Sequence, residues 1–300
     1  MRCAINPGVW IALGLVLAGR APAADELYPI RFSRPAQVGA KYRLAAVGTL
    51  KQKTTLVRES VVLRKTTVDL GIVLEAEVEN LRVDGQGHVV QKALTIQTAT
   101  LLGAGKPQTL LKAGRVVIAE TVDGETKFRL AEGNLSERIA KALSIVVVTK
   151  TPGADPDEIF GTRRPRRVGE SWPINVQAAA RSLLSQGLSA DGGKIAGTVT
   201  LDGVENSSDI PCLKLTGQTR LVGLTVSKLA SPGLKLSESQ ASARFTALYP
   251  VDRRLGKQSE EKTFTISVVA DGTEGSLLGV TMHHDMTKTI KERITPAGSP

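Results

Sequence analysis

Apolar and polar residues alternate with a period of two along much of the chain, and that period predicts strands. Between Leu74 and Glu79, Leu74, Ala76 and Val78 share one face while Glu75, Glu77 and Glu79 share the other, as in a strand with one buried and one wet side. The pattern returns where Val199 and Leu201 alternate with Thr198, Thr200 and Asp202, and where Leu213, Leu215, Gly217, Thr219 and Leu221 alternate with Lys214, Thr216, Gln218 and Arg220. It returns again at Ala243, Phe245, Ala247 and Tyr249, a run that Pro250 ends, and at Phe264, Ile266 and Val268. A helix with this spacing would bury its charges. Asp84-Gly85 and Asp123-Gly124 are dipeptides that favour hairpin turns, so neighbouring strands are expected to be antiparallel.

Helical signals are few. Asn134 as a cap, Glu137 three residues later, and an apolar face of Leu135, Ile139, Ala142, Leu143 and Val146 predict a helix near 134–148 lying across a sheet. A weaker signal covers Val176 to Gln186 and stops at Gly187. The stretch Thr151 to Arg167 is rich in Pro, Gly, Asp and Arg without a period, and reads as a linker between an N-terminal half, 24–150, and a C-terminal half, 168–300. The expected fold class is mainly β: long antiparallel strands in curved sheets or half-barrels, with one or two short helices.

A short repeat flanks that linker. Arg34-Pro35-x-x-Val38-Gly39-x-x-Tyr42 has the spacing of Arg164-Pro165-x-x-Val168-Gly169-x-x-Trp172. It suggests two duplicated halves, each entered by a glycine turn that feeds a strand whose first inward residue is a ring.

Residues 1–23 read as a secretory leader, with Arg2, an apolar run from Val9 to Ala18 and the small-residue pattern Ala21-Pro22-Ala23. The expected location is therefore periplasmic or secreted. Arg20, where a lipoprotein would carry cysteine, predicts no lipid anchor. No later run approaches the ~20 apolar residues of a spanning helix, so no transmembrane segment is expected in the processed chain. Losing Arg2 and Arg20 lowers the formal net charge from +10 to +8, which suits an anionic partner. Cys3 leaves with the leader, so Cys212 stands alone and stability must come from packing. Aromatic residues make up only 3% of the chain, which argues against sugar-stacking surfaces and against nucleic acid.

Val168-Gly169-Glu170-Ser171-Trp172, following a helix and a Pro-rich loop, resembles the V-G-[DE]-S-W turn of a family of exported bacterial β-rich proteins, over about residues 130–225. The resemblance implies location and fold and carries no catalytic residues. At the level of fold, long strands with few helices in an exported chain are also similar to the half-barrels of periplasmic lipoprotein carriers.

Candidate chemistry is sparse. Arg163, Arg164, Arg166 and Arg167 form the strongest local charge feature and could pair with phosphates; an exposed loop has the same composition. Asp155, Asp157 and Glu158 cluster without the spacing of a calcium loop. His283-His284-Asp285 offers ligand types, but adjacent residues on a strand point to opposite faces, and no metal or other cofactor is expected. Cys212 reads as a small buried residue. Neither a Gly-x-Ser-x-Gly elbow nor a His-Glu-x-x-His helix occurs. The expectation is a non-enzymatic envelope protein that binds an apolar or lipid-like ligand or an envelope partner. The alternatives are a secreted hydrolase using dispersed carboxylates and an electrostatic adaptor that docks anionic envelope polymers through the arginines.

Overall fold

A computed structural model describes residues 26–103, 105–150, 153–185, 188–190, 194–226 and 233–296. In chain order these form β1 (Lys41–Arg58), β2 (Val61–Val83), β3 (Val89–Leu102), β4 (Gln108–Leu111), β5 (Val116–Val122), β6 (Glu125–Leu130), α1 (Glu137–Val146), α2 (Pro156–Phe160), β7 (Ser171–Pro173) and α3 (Val176–Ser185). There follow β8 (Leu188–Ala190), β9 (Ile195–Ser207), β10 (Ile210–Val222), β11 (Leu224–Val226), β12 (Leu234–Pro250), β13 (Ser259–Gly272) and β14 (Val280–Pro296). The leader residues lie outside the described residues. No helix among those described is long and apolar enough to cross a membrane.

Apart from β8 and β11, which pair with each other, the strands join one open antiparallel sheet in the order β6-β5-β3-β2-β1-β14-β13-β12-β10-β9-β7, with β4 beside β3. The first half steps outward from the centre and the second returns from the far edge. β1 and β14 then pair from Tyr42↔Pro296 to Arg58↔Val280, so one sheet holds both halves.

The chain must cross the sheet to pass from β6 to β7, and α1 and α2 lie on that crossing. α1 touches β1, β2, β14 and β6. α1 thus lies across the first half of the sheet, from β6 to β14. Gly48 makes the seat: a Cβ there would stand 2.4 Å from Val146 Cγ1 and 2.6 Å from Ile145 Cγ2. Gly48→Ala is expected to lift α1 and cost about 1–3 kcal/mol by overpacking, read as a lower urea midpoint at unchanged slope.

The two copies of the repeat make the same turn. Ala40 N–H donates to Gln37 O and Glu170 N–H to Arg167 O, and the glycines between them have φ of 79° at Gly39 and 86° at Gly169. That left-handed conformation favours glycine. Each glycine N–H then donates to a neighbouring strand, at Asn80 O and Leu201 O, and the carbonyl of the next residue, Ala40 or Glu170, accepts from the Asn80 or Leu201 N–H in return. Val38 is exposed and Val168 half-buried. Tyr42 packs against the core of the first half, and Trp172, buried, packs in that of the second.

Cross-strand register shows how the inward face is divided. One row runs Leu201, Leu215, Ala247, Glu260, Glu292, Ala46, Leu74 and Ala99 across eight strands. The next runs Val199, Gly217, Phe245, Lys262, Ile290, Gly48, Ile72 and Leu101. Both rows are apolar at their ends; the first is charged at β13 and β14, through Glu260 and Glu292, and the second at β13 alone, through Lys262. Two apolar cores result, one over β1–β6 that includes Ile290 of β14 and one over β7–β12 that includes Ile266 and Val268 of β13, and the charges of β13 and β14 form a seam between them at one end of the sheet. Tyr28, Ile30 and Phe32, ahead of β1, pack in the second core, where Phe32 meets Phe160, Phe245 and Tyr249 with ring centroids 5.3 to 5.9 Å apart.

Mainly β with short helices is thus the observed class. Three details differ from expectation. Ser136, and not Asn134, caps α1 by accepting from Ile139 N. The expected linker contains α2, capped by Asp155 with Pro156 in its first turn. At Asp84-Gly85 the turn is longer than a two-residue hairpin, because the Asp84 carboxylate accepts from the Gln86 and His88 amides and Gly87 takes the positive φ.

Candidate functional site

The inward register pairs Glu260 directly with Glu292 across β13 and β14. Like charges in that relation repel, and Lys257, from the turn before β13, relieves the repulsion. Its Nζ lies 2.8 Å from Glu260 Oε2 and 2.5 Å from Glu292 Oε1, and Lys262 Nζ lies 3.0 Å from the same Glu260 oxygen. Burial works against the Lys257 ammonium, but Glu292 and Glu260 outweigh it and hold its pKa above the ordinary lysine value. Burial likewise opposes ionisation of Glu260, yet Lys257 and Lys262 bring its pKa down to about 2. Burial, then Glu292, pushes Tyr42 up to about 12.

These carboxylates converge as closely as a glycosidase pair would, but Lys257 and Lys262 move the Glu260 pKa down, opposite to the rise that a general acid needs. Because folding lowers the Glu260 pKa from 4.5, its contribution is complete above about pH 4.5 and is lost as pH falls through about 2. Stability is expected to drop by the order of 3 kcal/mol over that window, and Glu260→Gln should flatten the drop in acid denaturation followed by circular dichroism.

Where the seam meets the end of the sheet, a cavity of about 970 Å³ opens between the β2–β3 turn, the segment ahead of β1, the stretch after α1, and α2 and α3. Val89, Val148, Ile159 and Phe160 give it apolar walls. Of its cations, Lys150 pairs with Asp84 at 2.8 Å and Arg181 with Glu158 at 3.0 Å. Lysine bonding and amide bonds hold the Asp84 carboxyl well below the usual carboxylate range. His88 stands between two acids, with Nδ1 3.5 Å from Asp84 and Nε2 3.3 Å from Asp155.

Lys92 and Arg34 differ from these, since no carboxylate among the described residues lies in ion-pairing range of either. Lys92 follows the inward parity of Leu94 and Ile96 on β3, and its Nζ donates to Val148 O at 2.8 Å. Burial pulls its pKa down to about 8; Glu292 opposes that fall, while Lys257 and Lys262 add to it. Arg34 donates through Nη2 to Pro250 O at 3.0 Å and lies 5.6 Å from the centre of the Tyr249 ring. Its Nε and Nη1 are buried without a hydrogen-bond partner, and burial lowers its pKa.

The residues singled out in sequence are not gathered here. Arg163, Arg164 and Arg167 are exposed, but Arg166 folds back: its backbone bridges Tyr28 and its guanidinium lies 5.4 Å from the Trp172 ring centre. Asp155 caps α2 and also accepts from Ser33 Oγ, Asp157 accepts from Phe32 N–H at 2.6 Å, and Glu158 pairs with Arg181. A hydrolytic relay needs imidazole between hydroxyl and carboxylate; here the Asp155 carboxylate stands between Ser33 and His88. His283 is exposed, whereas His284 Nδ1 meets Thr54 Oγ1 at 2.9 Å. Among the described residues no three potential ligands converge on a metal position. Cys212 is buried, and burial raises its pKa.

Lys92, Lys257, Glu260 and Glu292 were not singled out in sequence, although a signal existed. Each strand's apolar parity, extended toward this end of the sheet, lands on a charge: Leu94 leads back to Lys92, Phe264 to Lys262 and Glu260, and Ile290 forward to Glu292.

No family model matches the chain, and no curated protein does either. Solved structures with likeness to it include OpdQ of Pseudomonas aeruginosa, at 9% identity and TM-score 0.20, covering 86% of this chain and 98% of that one. They also include the outer membrane protein AlkL, at 11% and 0.21, covering 92% and 99%, and an outer membrane channel of Pseudomonas putida F1, at 11% and 0.19, covering 90% and 100%. Likeness at this level neither supports nor overturns the analogy to lipoprotein-carrier half-barrels. Scores of this size reflect long antiparallel strands alone, and no property of those channels transfers to this chain.

Proposed function

We propose that this chain is a non-enzymatic protein of the bacterial envelope whose end cavity binds an anionic ligand with an apolar body. The observation that carries this reading is Lys92, an ammonium with no carboxylate partner on the wall of a cavity large enough for a small amphiphile. Lys92 is half-buried, and an ammonium without a carboxylate partner that faces an open cavity suits a ligand that brings the opposite charge. Arg34 adds a second positive wall, with donors that a small rotation would present. The apolar side chains opposite them would take the ligand's body, so the lipid-like expectation gains an acidic head group. The leader-like residues 1–23 support an envelope location, and the absence of a hydroxyl–imidazole contact at Ser33 and His88 supports a binding role.

Native mass spectrometry of chain purified from its own host tests this reading. An adduct that organic extraction releases as an anionic amphiphile, and that Lys92→Met loses, is the expected result. A neutral lipid, or an adduct retained by the variant, would contradict it.

A further inference from the structure

The end of the β1–β2 hairpin extends beyond β3, while β1 stays paired with β14 on its other edge as far as Arg58↔Val280. β2 pairs with β3 only from Gly71 onward, so Val61–Leu70 has β1 on one edge and no strand on the other among the described residues. At its tip Val61, Val62 and Leu63 are 62%, 57% and 52% exposed, and Leu278, beside the paired residue Val280 two strands away, is 64% exposed. Large apolar side chains concentrated at one tip call for an occupant.

We propose that this hairpin tip docks the protein onto an anionic lipid bilayer. Successive strand residues face opposite sides, so Val61 and Val62, in regular register with Arg58 and Val57, point to opposite sides of the hairpin, and Leu63 follows as the extra residue of a bulge. A partner protein's groove would cover one side, whereas an interfacial lipid layer surrounds both. The three residues span about 10 Å, which matches the depth to which interfacial segments sink. Between Lys51 and Asp69 stand five cations and two acids, and Arg64 and Lys65, both exposed, directly follow the apolar residues. That charge complements anionic head groups. It also opposes the obvious protein occupant, a second copy paired edge to edge, because antiparallel pairing centred on Val61–Leu70 would bring two Arg64-Lys65 pairs together.

β2 runs from this tip to the turn that lines the cavity, a path of about 70 Å. A docked molecule therefore holds its cavity away from that bilayer. The docking site does not depend on what the cavity binds.

The test uses protein purified after export and phosphatidylcholine vesicles with or without about a third phosphatidylglycerol. Sedimentation is expected to show binding to the anionic vesicles only. It should weaken about tenfold or more in Arg64→Glu/Lys65→Glu and comparably in Val61→Ser/Val62→Ser/Leu63→Ser, while Val122→Ser, at the other end of the sheet, leaves it unchanged. Circular dichroism confirms that the variants fold. Vesicle binding that either set of tip substitutions leaves intact would overturn the proposal, as would a wild-type protein that ignores vesicles and forms a dimer that the serine variant abolishes.

Discussion

Glu292→Gln is expected to lower the unfolding free energy by about 2–4 kcal/mol, measured by urea denaturation at neutral pH. The substitution keeps the shape and removes one of the two carboxylates that hold Lys257, leaving Glu260 alone to balance Lys257 and Lys262. Breaking a buried pair leaves a buried charge uncompensated, so the cost exceeds what the pair itself contributes. Lys92 would lose the anion that opposes its loss of a proton, which adds a second signature: its titration should move further down. A change below about 0.5 kcal/mol, the size of an exposed ion pair, would mean that the seam is solvated.

Lys92→Met is expected to act in the opposite direction on stability and to abolish ligand preference. The folded-state pKa of Lys92, about 8, lies below the ordinary 10.5. Below pH 8 the residue is charged in both states and the penalty of its partial burial applies, reduced by the open cavity it faces. Between pH 8 and 10.5 the folded state gives up its proton first, and the penalty is relieved. The variant should therefore be more stable than wild type at pH 7, by about 1 kcal/mol after solvent screening, with the difference closing as pH rises toward 10.5. A lysine kept only for its bond to Val148 would give a variant less stable at every pH. Stability and binding are thus opposed at this residue, as at many ligand sites.

The fold was more legible than the site, for a physical reason. Strand alternation reports the face on which a residue lies, and the runs at Leu74–Glu79, Leu213–Leu221 and Phe264–Val268 all lie in long strands with the expected side buried. The helix read from Val176 agrees with α3 because its small and apolar residues are contiguous. Two hairpins were missed, since their turns use Glu59-Ser60 and Ser208-Asp209 with positive φ and no glycine. The seam stayed hidden because its members are single charges at the ends of apolar runs, where a strand ordinarily frays into solvent. Only the pairing of β1 with β14, residues at the two ends of the chain, turns those ends inward. The arginine run was conspicuous in sequence, yet one of its four members is spent on packing against Trp172.

The most direct test of the cavity as an anion-selective site is calorimetric titration with octyl phosphate and with octanol, in wild type and in Lys92→Met. One octyl phosphate per chain should bind wild type, at least about tenfold more tightly than octanol, and the variant should lose that preference while keeping its fold. Equal affinity for the two probes, or an undiminished preference in Lys92→Met, would contradict the account.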